Sequence, residues 1–306
     1  FRHPHGDRPS HMEWYPPGTL EVAKRPFVGK QVEDFIKRCD VMLFFEGPFD
    51  WQFPDLCRKN RVKTVLLPMY EWALEKPPHR FDGFLCPSLL DCDYFPGSPF
   101  IPIPAPQNIW KQRTVAKKFL HNGGNLGSRL HKGTLELLRA IEFIESPIEL
   151  TIRSQDPVKL TELLKEVPSV YDDPRVTLQA GSRAYEDLWD GYDVLVAPEK
   201  YNGLSLPLQE ARAAGMLVIT TDRYPINMWL PIEPLIPVSG HQKVRVCSGH
   251  NEIDECLVSP IDIARTIDDW YDKDITQYSL DGLEWAKQNS WDVLKPLYMK
   301  ELESVL

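Results

Sequence analysis

The chain has 306 residues, a length that accommodates two domains with ordinary hydrophobic cores. Lysine and arginine number 35 against 44 aspartate and glutamate residues, which gives a formal net charge of −9. Hydrophobic residues make up 42% and charged residues 26%, a composition that argues against a disordered, collagen-like or coiled-coil chain. The acidic balance argues against charge-driven binding to nucleic acid or to an anionic membrane, while a local basic pocket for a small anion remains compatible with it.

The cysteine pattern indicates the redox state and hence the cellular compartment of the protein. Six cysteines lie at positions 39, 57, 86, 92, 247 and 256, and none forms a Cys-x-x-Cys pair. A chain of this size needs no disulfides, so we expect reduced thiols in a cytoplasmic protein. The sequence shows no apolar run of membrane-spanning length and no secretory signal. It begins with Phe1 rather than methionine, which is compatible with an N-terminal segment that this sequence lacks.

The first third of the chain alternates apolar runs with helical patterns. Continuous apolar runs predict buried parallel strands at 40–45, 62–67 and 83–86. Between and before them, helices are predicted at 30–38 and 54–60, whereas residues 1–28 show no period and are predicted as loop. This alternation is typical of a parallel sheet covered on both faces.

A proline-rich stretch separates this part from the next. Residues 96–106 contain five prolines in eleven positions, which excludes a helix or a central strand there. We predict a stiff interdomain linker. The predicted organisation is an N-terminal domain over 1–105, a second α/β domain over 106–290, and a C-terminal helix over 291–306 that packs back on the first domain.

The second domain repeats the alternation more fully. Strands are predicted at 118–121, 148–153, 176–179, 193–197 and 216–221. Helices are predicted at 133–145, 157–167, 185–191 and 206–214, with further helices at 261–272, 280–289 and from 293 onward. The pattern predicts a doubly wound sheet, in which ligands bind at the carboxyl ends of the strands.

Two loops at such strand ends carry candidate binding residues. The first is the glycine-rich run 121–133, where Gly124 allows a close backbone approach and Arg129, His131 and Lys132 offer cationic contacts to an anion. It matches neither the Walker A order nor the dinucleotide spacing. The second loop, 197–205, would present backbone amides at the start of a helix that carries Glu210 among apolar residues. A buried Glu210 needs hydrogen-bonding partners, and two ribose hydroxyls would serve.

The second loop and its helix resemble the motif of a known family. Residues 202–215, read with the strand 217–222, resemble the Glu-Gly-x-Gly-Leu-x-x-x-Glu-Ala-x-Ala-x-Gly motif of retaining GT-B glycosyltransferases of the family 4 type. Arg129-Leu-His-Lys132-Gly133 is similar to that family's diphosphate loop, and residues 187–198 to the segment that leads into the motif. The similarity is good over about 118–230 and loose elsewhere.

The resemblance implies a GT-B fold, with two Rossmann-like domains whose parallel sheets face a cleft and a short or truncated N-terminal domain. It also implies transfer of a sugar from a nucleotide-diphosphate sugar, such as a UDP- or GDP-sugar, with retention and without a metal or other cofactor. Glu210 would bind the ribose and Lys132 the diphosphate. The other implied donor contacts are Arg129, Gly124, the amides of Gly203, Leu204 and Ser205, and Ser182 in the loop 181–185 that grips the nucleobase.

The chain departs from the family at two places. The first motif glutamate falls on Asn202, which can still hydrogen-bond a sugar hydroxyl but carries no charge; Glu199 is nearby, with a different spacing. The family's N-terminal histidine is also absent. Glu71, in the loop after the second strand, and Glu46, at the end of the first, are the carboxylates that would face the acceptor. The candidate catalytic residues are therefore Glu46, Glu71 and Asn202.

Metal motifs in the sequence are set aside. Asp91-Cys-Asp93 matches the Asp-x-Asp pattern of the other glycosyltransferase fold, but nearby Pro96 and Gly97 indicate a loop, and such triplets arise by chance in an acidic chain. His241 and His250 are predicted to lie in a polar loop, too loosely spaced for a zinc site. We predict no metal site.

Two other functions remain open on the sequence. One is a nucleotide-sugar epimerase, for which His131 beside Lys132 would supply acid–base chemistry. The other is a non-catalytic nucleotide-sugar-binding module, favoured by the asparagine at 202 and the short N-terminal half. The acceptor of a transferase is left undetermined among glycans, lipid-linked sugars, proteins and modified nucleic acid bases.

Overall fold

The structure is a computed structural model that describes residues 29–47, 52–70, 81–125, 131–181, 183–246 and 251–306. Within these ranges the strands form a three-stranded sheet, a six-stranded sheet and a two-stranded ribbon. The two larger sheets are parallel throughout, as predicted.

The three-stranded sheet is built from the first third of the chain. Its strands are β1 (Val41–Glu46), β2 (Lys63–Pro68) and β3 (Gly83–Phe84), in that order. The helices are α1 (Lys30–Ile36), α2 (Gln52–Lys59) and α3 (Leu89–Tyr94). The segment that forms α3 was predicted as loop, and this prediction is wrong, because Ser88 begins a helix by accepting the backbone N–H of Asp91.

Two apolar clusters cover this sheet. One face packs against α1 and α2 through residues such as Ile36, Phe44 and Cys57. On the other face, Val65 and Leu67 of β2 lie in a cluster with Leu294 and Tyr298 from the end of the chain. The C-terminal helix therefore packs on the sheet formed by the N-terminal residues.

The six-stranded sheet has the order β6-β5-β4-β7-β8-β9. Its strands are β4 (Lys118–Asn122), β5 (Glu149–Ser154), β6 (Val176–Ala180), β7 (Val194–Ala197), β8 (Leu217–Thr221) and β9 (Leu235–Ile236). From β4 the chain first builds outward to β5 and β6, then returns to the opposite side of β4 to add β7. The carboxyl ends of β4 and β7 thus form the point where strand order reverses, the usual ligand position in such sheets.

Six α-helices accompany this sheet in the described part of the chain. They are α4 (Thr134–Ala140), α5 (Pro157–Glu166), α6 (Leu206–Ala213), α7 (Ile226–Trp229), α8 (Pro260–Trp270) and α9 (Thr276–Gln288). The last helix, α10 (Trp291–Ser304), is the one that packs on the three-stranded sheet. The helix predicted at 185–191 is wrong, because only a single 3-10 turn forms there, over Tyr185–Asp187. None of the helices that the structure describes combines the length and the apolar character needed to cross a lipid bilayer.

The two-stranded ribbon was not predicted. Strands β10 (Val238–Val246) and β11 (Asn251–Val258) pair antiparallel, and His241 lies in β10 rather than in a polar loop. The ribbon reaches the N-terminal part of the chain, where the Tyr70 hydroxyl donates to the Glu252 carbonyl over 3.0 Å.

Residues 96–106 form no helix and no strand, in agreement with their proline content. Phe100 makes an isolated bridge to Cys86, and Ile101 is buried in the cluster shared with α10. The domain limits placed at 105 and 290 stay a prediction.

Candidate functional site

Two oppositely charged side chains meet where the strand order reverses. Lys132 lies between β4 and α4, and Glu199 follows β7. The Lys132 Nζ is 2.6 Å from Glu199 Oε1, and the Glu199 side chain is only 2% exposed. The sequence placed Lys132 at a binding site and set Glu199 aside because of its spacing, but the structure pairs them.

A histidine and a glycine bring these two loops together. The buried His121 of β4 contacts the Val196 carbonyl through Nδ1 and Thr134 Oγ1 through Nε2, each over 2.8 Å. Burial lowers the pKa of His121 to about 4, so the ring is neutral; because a carbonyl only accepts, Nδ1 carries the hydrogen. At Gly133, φ is +67°, and an added Cβ would lie 2.0 Å from the Pro198 carbonyl oxygen. Only glycine lets this turn approach the loop after β7 so closely.

Arg223 is a third charged residue of the site and lies outside both predicted binding loops. It follows β8 by two residues and is almost completely buried. Its Nη2 donates to Glu199 Oε2 over 2.7 Å and to Ser205 Oγ over 2.8 Å. Its Nη1 donates to the Asn202 carbonyl over 2.7 Å. The signal available in the sequence was a charged residue directly after a buried strand, the same signal that marks Glu199.

The charges of this cluster do not cancel. Burial alone would raise the pKa of Glu199, but the positive charges of Lys132 and Arg223 and the hydrogen bonds they and Ser205 provide outweigh it and lower this pKa to about 2. Glu199 is therefore ionised at neutral pH. Two cations and one carboxylate leave a net charge of +1, which suits an anionic ligand. We call Lys132, Glu199, Ser205 and Arg223 the charge cluster.

His131 does not add to this charge. It stacks on Tyr201, with ring centroids 5.0 Å apart. Burial and then the neighbouring Lys132 lower the pKa of His131 to about 4. The expectation that His131 offers a cationic contact is thus wrong at neutral pH.

Asn202 shapes the loop that precedes α6. Its Oδ1 accepts the backbone N–H of Leu204 over 3.1 Å and that of Ser205 over 2.9 Å. Ser205 has φ of +46°, and it occupies the place of the second glycine in the family motif. The predicted binding role of the Gly203, Leu204 and Ser205 amides stays a prediction, but two of these amides point at Asn202 in this structure.

Glu210 lies in the second turn of α6, half-buried. Burial raises the pKa of this carboxyl to about 7, and a hydrogen bond with the Tyr185 hydroxyl opposes the rise. Tyr185 comes from the loop that was predicted to hold the nucleobase, and 42% of its surface is exposed. A half-buried carboxyl with one phenolic partner retains capacity to accept hydrogen bonds from a ligand.

The remaining predicted site residues are placed as follows. Gly124 follows β4 with φ of +56°, and its carbonyl accepts the N–H of Gln155 over 2.8 Å. Glu46 ends β1 on the other sheet, with an exposed side chain and φ of +63°. Arg129, Glu71 and Ser182 lie outside the described residues.

The sequence matches no protein-family model and no curated protein. Solved structures do match. A glycosyltransferase from Rickettsia africae aligns over 94% of this chain and 83% of its own, with a TM-score of 0.64 and 11% identity. The pneumococcal O-GlcNAc transferase GtfA, solved with UDP and GlcNAc, aligns over 90% of this chain at a TM-score of 0.57 and 14% identity. HepE of Anabaena, solved with UDP and glucose, aligns over 90% of this chain and 80% of its own, with a TM-score of 0.63 and 11% identity.

The chain has the GT-B fold. This confirms the predicted fold class, while the low identities leave the reaction to be argued from the residues of the site. The chain spans 59% of the length of the pneumococcal transferase.

Hydrogen bonds within the protein account for the Asp-x-Asp pair. Asp91 is buried, and its carboxylate accepts the Tyr70 N–H over 2.7 Å and the Ser88 hydroxyl over 2.5 Å. Asp93 accepts a hydrogen bond from the Tyr224 hydroxyl, which follows β8. Both aspartates are thus used in structural contacts. Among the described residues, no group of three or more His, Cys, Asp and Glu side chains is arranged to hold a metal ion.

Proposed function

We propose that this protein is a glycosyltransferase that takes its sugar from a nucleoside diphosphate sugar. The observation that carries the proposal is the charge cluster with its net charge of +1, placed where the strand order of the six-stranded sheet reverses. Glu210, in the second turn of the helix that begins just after Ser205, supplies a hydrogen-bond acceptor. The GT-B fold supports the same assignment.

Lys132 is the residue that we assign to the diphosphate. Its side chain is 16% exposed, so its ammonium group can meet a ligand, whereas Arg223 is enclosed. The diphosphate gains negative charge as the bond to the sugar breaks, and a cation held in a partly dry site stabilises that charge strongly. On this proposal Lys132 performs the role that a divalent metal plays in metal-dependent transferases.

Glu210 is assigned to the ribose. Two ribose hydroxyls donate to an ionised carboxylate better than to a protonated one. Since the pKa of Glu210 is about 7, a bound nucleotide would draw the carboxyl into its ionised form. Tyr185 would give up its bond to Glu210 or share the carboxylate with the ribose.

The acceptor side is assigned to the carboxyl edge of the three-stranded sheet. Glu46 ends β1 there with an exposed side chain. It is the described candidate for orienting or deprotonating an acceptor hydroxyl. Retention of the anomeric configuration, the UDP or GDP identity of the donor and the acceptor class follow from the resemblance alone and belong to the proposal.

A non-catalytic nucleotide-sugar-binding protein is the second candidate. One observation favours it: Asn202, at the place of the family's first motif glutamate, uses its side-chain oxygen to hold two backbone amides. A residue occupied in this way is less available to the transferred sugar.

Calorimetric titration with UDP-, GDP- and ADP-sugars, followed by an assay for donor cleavage in the presence and absence of EDTA, separates these functions. A transferase binds one of these donors and cleaves it slowly without acceptor, with turnover that survives EDTA. Binding without cleavage, in the presence of varied acceptors, would favour the second candidate. Interconversion of sugars without release of nucleoside diphosphate would indicate an epimerase. No binding of any donor would refute the proposal.

A further inference from the structure

The two cations bound to Glu199 differ in how firmly they are held. Lys132 reaches Oε1 through its flexible side chain, which is 16% exposed. Arg223 reaches Oε2 from a side chain that is only 1% exposed. One cation can turn toward a ligand and the other cannot.

We infer that Lys132 exchanges the Glu199 carboxylate for the diphosphate of the donor, while Arg223 keeps Glu199 paired. The inference rests on the proposed function, because it names the diphosphate as the competing anion. It makes Glu199 a positioning residue, which holds the Lys132 ammonium at the site before the ligand arrives. It also makes Glu199 a competitor that weakens the hold on the nucleoside diphosphate after transfer.

The atoms of the charge cluster are arranged for such an exchange. Lys132 binds Oε1 of Glu199, whereas Arg223 and the Ser205 hydroxyl both bind Oε2, over 2.7 and 2.6 Å. When Lys132 leaves, Oε2 therefore keeps both of its donors. Arg223 is itself fixed by the Asn202 carbonyl and Ser205 Oγ.

Charge compensation by Arg223 keeps the free-energy cost of the exchange low. Loss of the only cation that pairs with a buried carboxylate strongly destabilises a protein, because the desolvation of the carboxylate is no longer offset. Here Arg223 remains at 2.7 Å from Glu199, so the carboxylate stays ionised and paired throughout. The single excess positive charge then resides on Lys132, where the diphosphate needs it.

A double-mutant cycle tests the exchange. UDP and inorganic pyrophosphate are titrated into the unaltered protein, Glu199→Gln, Lys132→Met and the double variant. Glu199→Gln removes the competitor, so we expect about tenfold tighter binding of both ligands where Lys132 is present. In the Lys132→Met background, the same substitution should change affinity by less than about twofold. Glu166→Gln, at an exposed glutamate paired with Arg139, controls for the change in net charge.

A second measurement is read on the unaltered protein and needs a variant only to assign the signal. The ¹⁵N signal of the Lys132 ammonium, assigned with Lys132→Arg, should shift on addition of pyrophosphate, while the Arg223 guanidinium signals keep their positions.

The outcomes separate this inference from the proposed function. The exchange would be overturned if Glu199→Gln had equal effects with and without Lys132, or if the Lys132 signal did not shift when ligand is bound. UDP binding would still uphold the proposed function in that case. Pyrophosphate binding with the expected coupling but no binding of any nucleotide would uphold the exchange and refute the donor assignment. If the unaltered protein binds neither pyrophosphate nor any of UDP, GDP and ADP, both are wrong.

Discussion

Two glutamates of the site show opposite behaviour. Glu199, after β7, has a pKa of about 2, and Glu210, on α6, has a pKa of about 7. Burial acts in the same direction on both and favours the protonated form. Glu199 is the more deeply buried of the two, yet it is the one that ionises more readily. The difference comes from their partners, because Glu199 contacts two cations and Glu210 contacts a neutral phenol.

This contrast suggests a division of roles within one site. A carboxylate that is already paired contributes a fixed charge distribution and needs no ligand to be stable. A carboxyl that burial keeps half-protonated gains most when a ligand donates hydrogen bonds to it. On this view the charge cluster is organised before the donor binds, whereas Glu210 is completed by the donor.

The largest expected effect comes from breaking the pairing of Glu199. Arg223→Leu leaves this carboxylate paired with Lys132 but removes the guanidinium's charge-assisted hydrogen bonds to Glu199, Ser205 and the Asn202 carbonyl. Such bonds contribute about 1.5–3 kcal/mol each, so their combined loss should cost about 3–5 kcal/mol. We expect a decrease of that size in the free energy of unfolding measured with urea at neutral pH. Adding Glu199→Gln to Arg223→Leu should recover part of the loss. Equal stability of the single and double variants would show that the pair does not govern this region.

The effect of Glu210→Gln on the free energy of unfolding should be opposite in sign to that of Arg223→Leu, and it should depend on pH. The pKa of Glu210 is raised from 4.5 to about 7 in the folded protein, so its protonation favours folding below pH 4.5, and this contribution is lost as the pH rises through 7. Glutamine mimics the protonated form. The variant should match the parent near pH 4 and be more stable near pH 8, by at most about 3 kcal/mol.

Thermal unfolding of the parent and Glu210→Gln at pH 4, 6 and 8 measures this effect. A stability difference that is constant across pH would show that the carboxyl is not perturbed. For Glu199 the sign is reversed: its stabilising contribution is present above pH 4.5 and is lost as the pH falls through about 2.

Asn202 extends the comparison to a neutral side chain, and its substitution should have the smallest effect on stability. Asn202→Ala removes the acceptor of the Leu204 and Ser205 amides, and loss of such hydrogen bonds costs about 1 kcal/mol. Asn202→Asp retains the acceptor oxygen and serves as the control for these hydrogen bonds. Equal losses for alanine and aspartate would mean that the two hydrogen bonds are not what Asn202 contributes.

The buried parts of the fold were predictable from the sequence. Strands such as β7 and β8 are continuous apolar runs, and their predicted limits differ from the observed ones by one residue. The ribbon of β10 and β11 was missed because polar residues interrupt the apolar alternation of its strands: the buried Glu255 of β11, for example, pairs with Gln242 of β10. The helix predicted at 185–191 reduces to a 3-10 turn, since so short a segment is not a stable helix by itself.

The site was predictable only in part. Lys132 and Glu210 were found through the family resemblance; Lys132 lies in the charge cluster and Glu210 on the helix that follows Ser205, while their donor-binding roles stay predictions. Glu199 was set aside for its spacing and Arg223 was not named, because their interaction joins residues 24 positions apart and depends on the adjacency of β7 and β8. A motif spacing describes one loop at a time and does not contain that adjacency.

The measurement that tests the central claim most directly compares a ribonucleoside diphosphate with its 2′,3′-dideoxy analogue. Whichever of UDP, GDP and ADP binds most tightly is titrated calorimetrically, with and without the ribose hydroxyls, into the parent and Glu210→Ala. Charge-assisted hydrogen bonds contribute about 1.5–3 kcal/mol each, so the parent should prefer the ribose form by at least about tenfold. Glu210→Ala should abolish the preference, and Glu166→Ala should preserve it. A parent that binds both forms equally, or a preference that survives in Glu210→Ala, would contradict the assignment of this site to a nucleotide sugar.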